Sequence, residues 1–472
     1  MYDPKSKNAV DFINHEEILD TLAYAQEHKN DKELIDTLIE RAKDCKGLTH
    51  REAALLLECD LPEQNEKMFA LAKQIKEKIY GNRIVMFAPL YLSNYCINGC
   101  TYCPYHAENK TIHRKKLSQE EIAREVVALQ DMGHKRLALE AGEDPVNNPL
   151  EYILESIKTI YSINHKNGAI RRVNVNIAAT TVEDYKKLKD AGIGTYILFQ
   201  ETYHKENYEA LHPTGPKHNY AWHTEAMDRA MDAGIDDVGC GVLYGLNTYR
   251  YDFVGMLMHA EHLEAAKGCG PHTISVPRIC PADDIDVADF SDAVPDDTFA
   301  KIVAVLRIAV PYTGMIISTR ESKKMRERLL ELGISQISGG SRTSVGGYDQ
   351  PEPEEENSSQ FDVSDRRTLD EIVNWLLTLG FIPSFCTACY REGRTGDRFM
   401  HLAKTGQIAN CCHPNALMTL NEYLEDYASE ETKARGEAMI AEQMELIPAE
   451  KVRRIAKEHL AEMKEGKRDF RF

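Results

Sequence analysis

The chain has 472 residues, 43% of them hydrophobic, and a formal net charge of -18. That length suffices for a large barrel with additions, and no apolar run is long enough to span a bilayer. The acidic balance argues against general nucleic-acid binding, which needs basic surface.

The mixed, charged start "MYDPKSKNAVDFINHEE" lacks the apolar core of a secretory signal, so a cytoplasmic location is expected. Residues 1–80 carry helical periodicity, as in "EEILDTLAYAQEH" and "EKMFALAKQIKEKIYG". Strand-like runs then alternate with amphipathic helices that stop at a glycine, as in "KLKDAGIGTYILF" and "LLELGISQISGG". Ser118 and Glu121 form a capping box that opens one of those helices. Eight strands are predicted, near 83–93, 136–142, 173–179, 195–202, 236–244, 273–279, 314–319 and 336–341. Eight strands separated by helices point to a (β/α)8 barrel over 81–380, with a doubly wound open sheet as the competitor. "DQPEPEEENSSQFDVSDRR" is acidic and Pro-rich and predicts a mobile loop. A helix at 368–379 follows, then a helical extension, 381–472, with cysteines of its own.

Active sites of such barrels lie on the loops after the strands. The unusual residues fall there: "CINGCTYC" after strand one, "AGEDP" after strand two, "FQETY" after strand four, "STRES" after strand seven and "SGGSRTSVGG" after strand eight.

The chain has twelve cysteines. In a large cytosolic protein, clustered cysteines more often bind metal than form disulfides. Cys45, Cys59, Cys240, Cys269 and Cys280 are scattered and read as core residues. Cys96-x3-Cys100-x2-Cys103 puts three thiolates on one loop. They can hold three irons of a 4Fe–4S cluster and leave the fourth open. Zinc would need a fourth ligand, such as His106 or His113.

This loop resembles the radical S-adenosylmethionine (SAM) superfamily. The resemblance implies a SAM-binding 4Fe–4S cluster whose open iron chelates SAM, and a 5′-deoxyadenosyl radical as the oxidant. It assigns Gly142 and Glu143 to the SAM ammonium group and Tyr102 to the adenine. Gln200, Glu201 and Tyr203 are polar groups at a strand end, with Glu201 a plausible SAM contact and a surface carboxylate the alternative. Residues 50–385 resemble the tyrosine-lyase branch, through "FQETY", "STRES" and "ISGGSRTSVGGY". That branch cleaves L-tyrosine to p-cresol and dehydroglycine. Arg320 can grip the substrate carboxylate with a two-pronged hydrogen bond, with Ser318, Thr319 and Ser338 as neutral donors. The alternative for Arg320 is an ion pair with Glu321 or a neighbouring strand.

Cys386-x2-Cys389-x22-Cys412 resembles the tail of the tyrosine-lyase maturases of FeFe hydrogenase. The resemblance implies a second, auxiliary iron–sulfur cluster, with or without an additional iron, on which CO and cyanide are made from dehydroglycine. It also implies a reducing electron donor and downstream hydrogenase maturation proteins as partners. A structural zinc held by Cys386, Cys389, Cys412 and His413 is the alternative, as it would be in a 2-iminoacetate synthase of thiazole biosynthesis with a tail. Cys411 competes with Cys412, and only spacing selects between them. The helix at 368–379 descends about 18 Å at ~1.5 Å per residue, so the tail cysteines are expected at the bottom of the barrel, opposite the first site. His272, just before strand six, is then the expected ligand for an additional iron, with His259 and His262 as rivals.

Overall fold

A computed structural model describes residues 1–290, 292–350 and 358–472. The predicted strands form as β1 (Arg83–Ser93), β2 (Arg136–Ala141), β3 (Arg172–Asn176), β4 (Tyr196–Ile197), β5 (Val238–Gly241), β6 (Thr273–Ser275), β7 (Gly314–Ile317) and β8 (Gln336–Ser338). All pair in parallel, and β8 pairs back onto β1 through Met86 and Ile337, which closes the barrel and excludes the open sheet. β1 carries the longest apolar run and is buried along most of its length, as a strand covered on both faces must be. Several strands end earlier than their apolar runs. Beyond the ladders, the isolated parallel bridges among the described residues are Glu201 with Val242 and Tyr244 with Arg278. There the chains splay apart around a cavity.

A ninth strand was not expected. In "GFIPSF", β9 (Ile382–Ser384) pairs in parallel with Arg83–Val85 at the start of β1. Pro383 has no N–H to offer a sheet and is tolerated because β9 is an edge strand. β9 brings the chain directly beneath the barrel, where Cys386 follows.

The Ser118–Glu121 capping box is present, with Glu121 N–H donating to Ser118 Oγ and Ser118 N–H to Glu121. That helix ends at Gly133, whose φ of 99° is the left-handed cap. One apolar cluster holds Phe12 and Leu71 of the N-terminal helices, Ile302 outside the barrel, and Leu376 and Leu420 near the tail.

Of the loop expected to be mobile, residues 351–357 lie outside the described residues. Residues 358–367 are packed instead, which corrects that part of the expectation. Asp365 is buried against Arg326 at 2.5 Å, and Phe361 is buried over the barrel mouth. Asp365 thus faces a partner inside the fold rather than solvent.

Candidate active site

The three-cysteine loop is fixed by its backbone before any metal is considered. Gly99 N–H donates to the Thr214 carbonyl, Thr101 N–H to Leu211 and Ile97 N–H to Glu143, at 2.9–3.0 Å. The Arg114 guanidinium donates to the carbonyls of Asn94, Tyr105 and His106. Cys96, Cys100 and Cys103 thereby line one cavity at the C-terminal ends of the strands, with Tyr102, Gly142, Glu143, Glu201 and Arg320. Burial pushes the thiols of Cys100 and Cys103 up, to about 12 and about 11. Such thiols stay protonated at neutral pH unless a metal takes the proton's place.

Three sulfurs lining a single cavity fit a 4Fe–4S cluster, and neither of zinc's candidate extra ligands lines that cavity. His106 pairs with Asp284 at 3.1 Å, and His113 is exposed. Among the described residues no three His, Cys, Asp or Glu side chains converge on a point that would hold one ion. A cluster asks for a wider spread, because each thiolate meets its own iron.

Gly142 lies against the cysteine loop. A Cβ there would stand 2.4 Å from the Tyr95 carbonyl oxygen and 3.0 Å from Cys96 Cβ. Gly142→Ala is therefore expected to push the loop outward, at a cost of roughly 1–3 kcal/mol. Iron content after anaerobic reconstitution and the Tm should both fall. Unchanged values in both would contradict the close approach.

Glu143 accepts a 2.6 Å hydrogen bond from Asn98, and its carboxyl is raised by burial. The Tyr102 hydroxyl meets His212 Nε2 at 2.6 Å, so its ring is held in the cavity wall. Glu201 has φ 68°, a left-handed conformation uncommon for a residue with a side chain. Its carboxylate reaches the cavity and pairs with Lys217 at 3.1 Å. Burial opposes the charge on Lys217, but the paired Glu201 carboxylate favours it and holds the ammonium protonated.

Gln200 and Tyr203, the other polar groups at that strand end and candidate cofactor contacts, do not line this cavity. Gln200 donates to Thr224 at 2.9 Å in the surrounding shell, and the Tyr203 hydroxyl meets His259 at 2.9 Å in the outer core. Glu201 faces in while its neighbour Gln200 faces out, as alternation requires. The positive φ then turns the chain away before Tyr203.

Arg320 lines both this cavity and a second one deeper in the barrel, which Ser318, Thr319 and Ser338 also line. The ion pair with Glu321 does not form, because Glu321 receives Arg278 at 2.8 and 2.5 Å. The Arg320 guanidinium stacks 3.8 Å from the Phe361 ring centroid and donates to Cys280 Sγ at 3.3 Å. Among the described residues it has no carboxylate partner within ion-pair distance. A fixed cation in that position is ready for a substrate carboxylate.

The tail cysteines define a third cavity at the opposite end. Cys386, Cys389 and Cys412 line it with His272 and with Val85, Arg136, Gly314 and Gln336 from the N-terminal ends of strands. On β1, Val85 faces this cavity, and Phe87, Pro89 and Tyr91 face the middle one. The cavities are thus strung along the barrel axis at the two-residue period of inward-facing positions. Cys389 and Cys412 share a proton; the thiolate settles on Cys412, held by that hydrogen bond and by Arg83 and Arg394. Cys411 is not in the cavity wall. His413 is turned away, donating to the Gln443 carbonyl at 3.0 Å, so the tail quartet for zinc lacks its fourth ligand.

His262 is buried against Asp228 and stacked 3.7 Å from Phe12, and His259 binds Tyr203. His272 alone of the three stands among the tail cysteines. Its Nε2 meets the Tyr390 hydroxyl at 2.9 Å, and its Nδ1 lies 3.4 Å from Asp237. Sequence reading missed Lys217, Arg83, Arg136 and Tyr390. The aromatic inside "CTACY" was the one available signal.

A model of the radical SAM superfamily matches residues 90–259, and one of the biotin and thiamin synthesis associated domain matches 275–382. The 2-iminoacetate synthase of Escherichia coli is 32% identical over 347 residues, 73% of this chain and 89% of that protein. A crystal structure of HydG, described as a maturase of the [FeFe]-hydrogenase, is 57% identical, covers 98% of this chain and 100% of its own, and superposes with a TM-score of 0.94. The FeFe-hydrogenase maturase HydG from Carboxydothermus hydrogenoformans is 41% identical, covers 96% and 99%, and has a TM-score of 0.83.

Proposed function

From the premise that this chain belongs to the radical SAM family of HydG and 2-iminoacetate synthase, we propose that it cleaves L-tyrosine to p-cresol and dehydroglycine, and turns dehydroglycine into CO and cyanide for an iron precursor of the FeFe-hydrogenase active site. The observation that carries the reading is the single axial row of cavities, with three cysteines at the top, Arg320 in the middle and three cysteines at the bottom.

Cys96, Cys100 and Cys103 would hold a 4Fe–4S cluster, which with SAM bound supplies a 5′-deoxyadenosyl radical. Gly142, Glu143 and Glu201 would hold the polar end of SAM and Tyr102 would pack against its adenine; that all four line the cavity of the three cysteines supports this. Arg320 would take the tyrosine carboxylate, with Ser318, Thr319 and Ser338 as neighbours. Holding a small zwitterion by its carboxylate would limit which hydrogen comes within reach of the oxidant, here one on the amine. Loss of that hydrogen precedes Cα–Cβ scission. Cys386, Cys389, Cys412 and His272 would hold the auxiliary cluster, which supplies iron for the two diatomic products. Dehydroglycine would reach it through the barrel. A reducing electron donor and downstream maturation proteins complete the partners.

The test is anaerobic reconstitution followed by SAM, dithionite and tyrosine. 5′-Deoxyadenosine and p-cresol are expected together, and CO after them. Absence of the first two overturns the reading. p-Cresol without CO would place the chain with the 2-iminoacetate synthases. For His272, replacement by alanine is expected to leave p-cresol formation in place while CO output falls and iron content drops by about one per chain. Full CO output with unchanged iron would remove His272 as a ligand.

A further inference from the structure

Glu140 is the one carboxyl shared by the walls of the top and middle cavities. It sits near the end of β2 with its side chain toward the barrel axis, and the mechanism above gives it no part. Asn176 of β3 hydrogen-bonds it, and the Arg320 cation acts on it from across the cavity. The other titratable groups facing it are the hydroxyls of Tyr91 from β1 and Tyr105 from the cysteine loop. Tyr91 is itself held by a 2.8 Å hydrogen bond to Gln360. None of the described lysines or arginines forms an ion pair with Glu140, which is unusual for a carboxyl so placed in a protein rich in such pairs.

An α-amino acid arrives as a zwitterion. Its ammonium lies two bonds from the carboxylate, so a substrate held by Arg320 keeps the ammonium within the cavities whose walls Arg320 and Glu140 share. An ammonium has no nitrogen lone pair to stabilise a nitrogen-centred radical, so the proton has to leave before the hydrogen atom does. We propose that Glu140 is the catalytic base that takes this proton: the N–H bond of R–NH3+ breaks, its electron pair stays on nitrogen, and Glu140 passes from carboxylate to carboxylic acid. The proposal rests on the tyrosine-lyase reading.

The environment suits the exchange. Burial raises the Glu140 carboxyl to about 8, against the opposing pull of Asn176 and Arg320. An α-amino group titrates at about 7.7–8.0 in peptides; that of a free amino acid lies higher because its own carboxylate favours the cation, and Arg320 on that carboxylate weakens the effect. A carboxyl raised toward the amine's range can take its proton at a smaller free-energy cost than an ordinary carboxylate could.

The test compares wild type, Glu140→Gln and Asn176→Ala with SAM, dithionite and tyrosine between about pH 6.5 and 9.5, a range that starts below the peptide α-amino value and runs up toward that of a free amino acid. Wild-type p-cresol formation is measured first; its absence condemns the lyase reading and not Glu140. Glu140→Gln should lower kcat for p-cresol by about 10²–10⁴-fold near neutrality, the usual worth of a general base. The lost rate should return about tenfold per pH unit as tyrosine itself becomes the free amine, with the tyrosine KM changed far less than kcat. In Asn176→Ala the carboxyl remains but loses a hydrogen bond that favours its anion, so the acid limb of kcat/KM should move to higher pH. A wild-type rate in Glu140→Gln, a loss that alkaline pH does not restore, or an unmoved limb in Asn176→Ala each overturns the assignment. Iron content identifies a misfolded Gln variant, in which case the Asn176 limb decides.

Discussion

Replacing Cys96, Cys100 or Cys103 by serine abolishes 5′-deoxyadenosine formation, and p-cresol and CO vanish with it. The loop has no spare donor. His106 is paired with Asp284, His113 is exposed, and the Tyr102 hydroxyl is bound to His212. Cys280 lies in the same cavity, but the Arg320 guanidinium donates to its sulfur. A serine hydroxyl does not ionise in place of a thiol, and a hard oxygen is a poor substitute where soft thiolate holds iron. The backbone hydrogen bonds that shape the loop use main-chain groups and survive the substitution. The fold should therefore persist, with a Tm within a few degrees of wild type, while iron per chain falls. Chromatographic detection of 5′-deoxyadenosine with dithionite as reductant checks this. Continued SAM cleavage in any of the three variants would refute the assignment of the loop.

Cys386→Ser and Cys389→Ser separate the two halves of the reaction. CO output is expected to fall at least about tenfold, in line with losses seen when metal sites are disturbed. p-Cresol formation should stay within about twofold, because distant sites with no shared partners behave independently. The independence follows from position. The tail cavity is lined from the N-terminal ends of the strands and the cysteine-loop cavity from their C-terminal ends. Arg136 donates to the Cys386 carbonyl at 2.8 Å, a contact that uses no sulfur and outlasts the change. Parallel measurement of p-cresol, bound CO and iron content is decisive. If p-cresol were lost along with CO in both variants, the tail would be a structural metal site that the barrel needs in order to fold.

Much of this was written in the chain itself. The alternation of apolar runs with glycine-terminated helices dictates a parallel barrel, because a helix between parallel strands is the short way back to the start of the next strand. The x3 and x2 spacing confines three thiolates to one loop, and C-x2-C with a distant cysteine announces a second metal site. These are local facts, set by chain reach and periodicity. β9 was hidden because three residues with a proline carry almost no periodic signal. The packed course of 358–367 was hidden because an acidic stretch looks solvated until its buried arginine is known.

The rest depended on which side chains the closed barrel turns inward. Gln200 and Glu201 are adjacent and both polar, and only the strand's pleat, ended by a positive φ at Glu201, sends one out and the other in. Cys411 and Cys412 differ by one helical step of about 100°, and the packing of their helix decides which faces the cavity. His259, His262 and His272 are equivalent as letters. Phe12, Asp228 and Tyr203 satisfy two of them, and register at the foot of β6 leaves the third beside the tail cysteines. Glu140 and Lys217 looked like ordinary charges on a strand and a loop. What gives each its chemistry is the low-dielectric cavity formed by strands far apart in sequence, and a pairwise long-range environment of that kind leaves no trace in the letters around the residue.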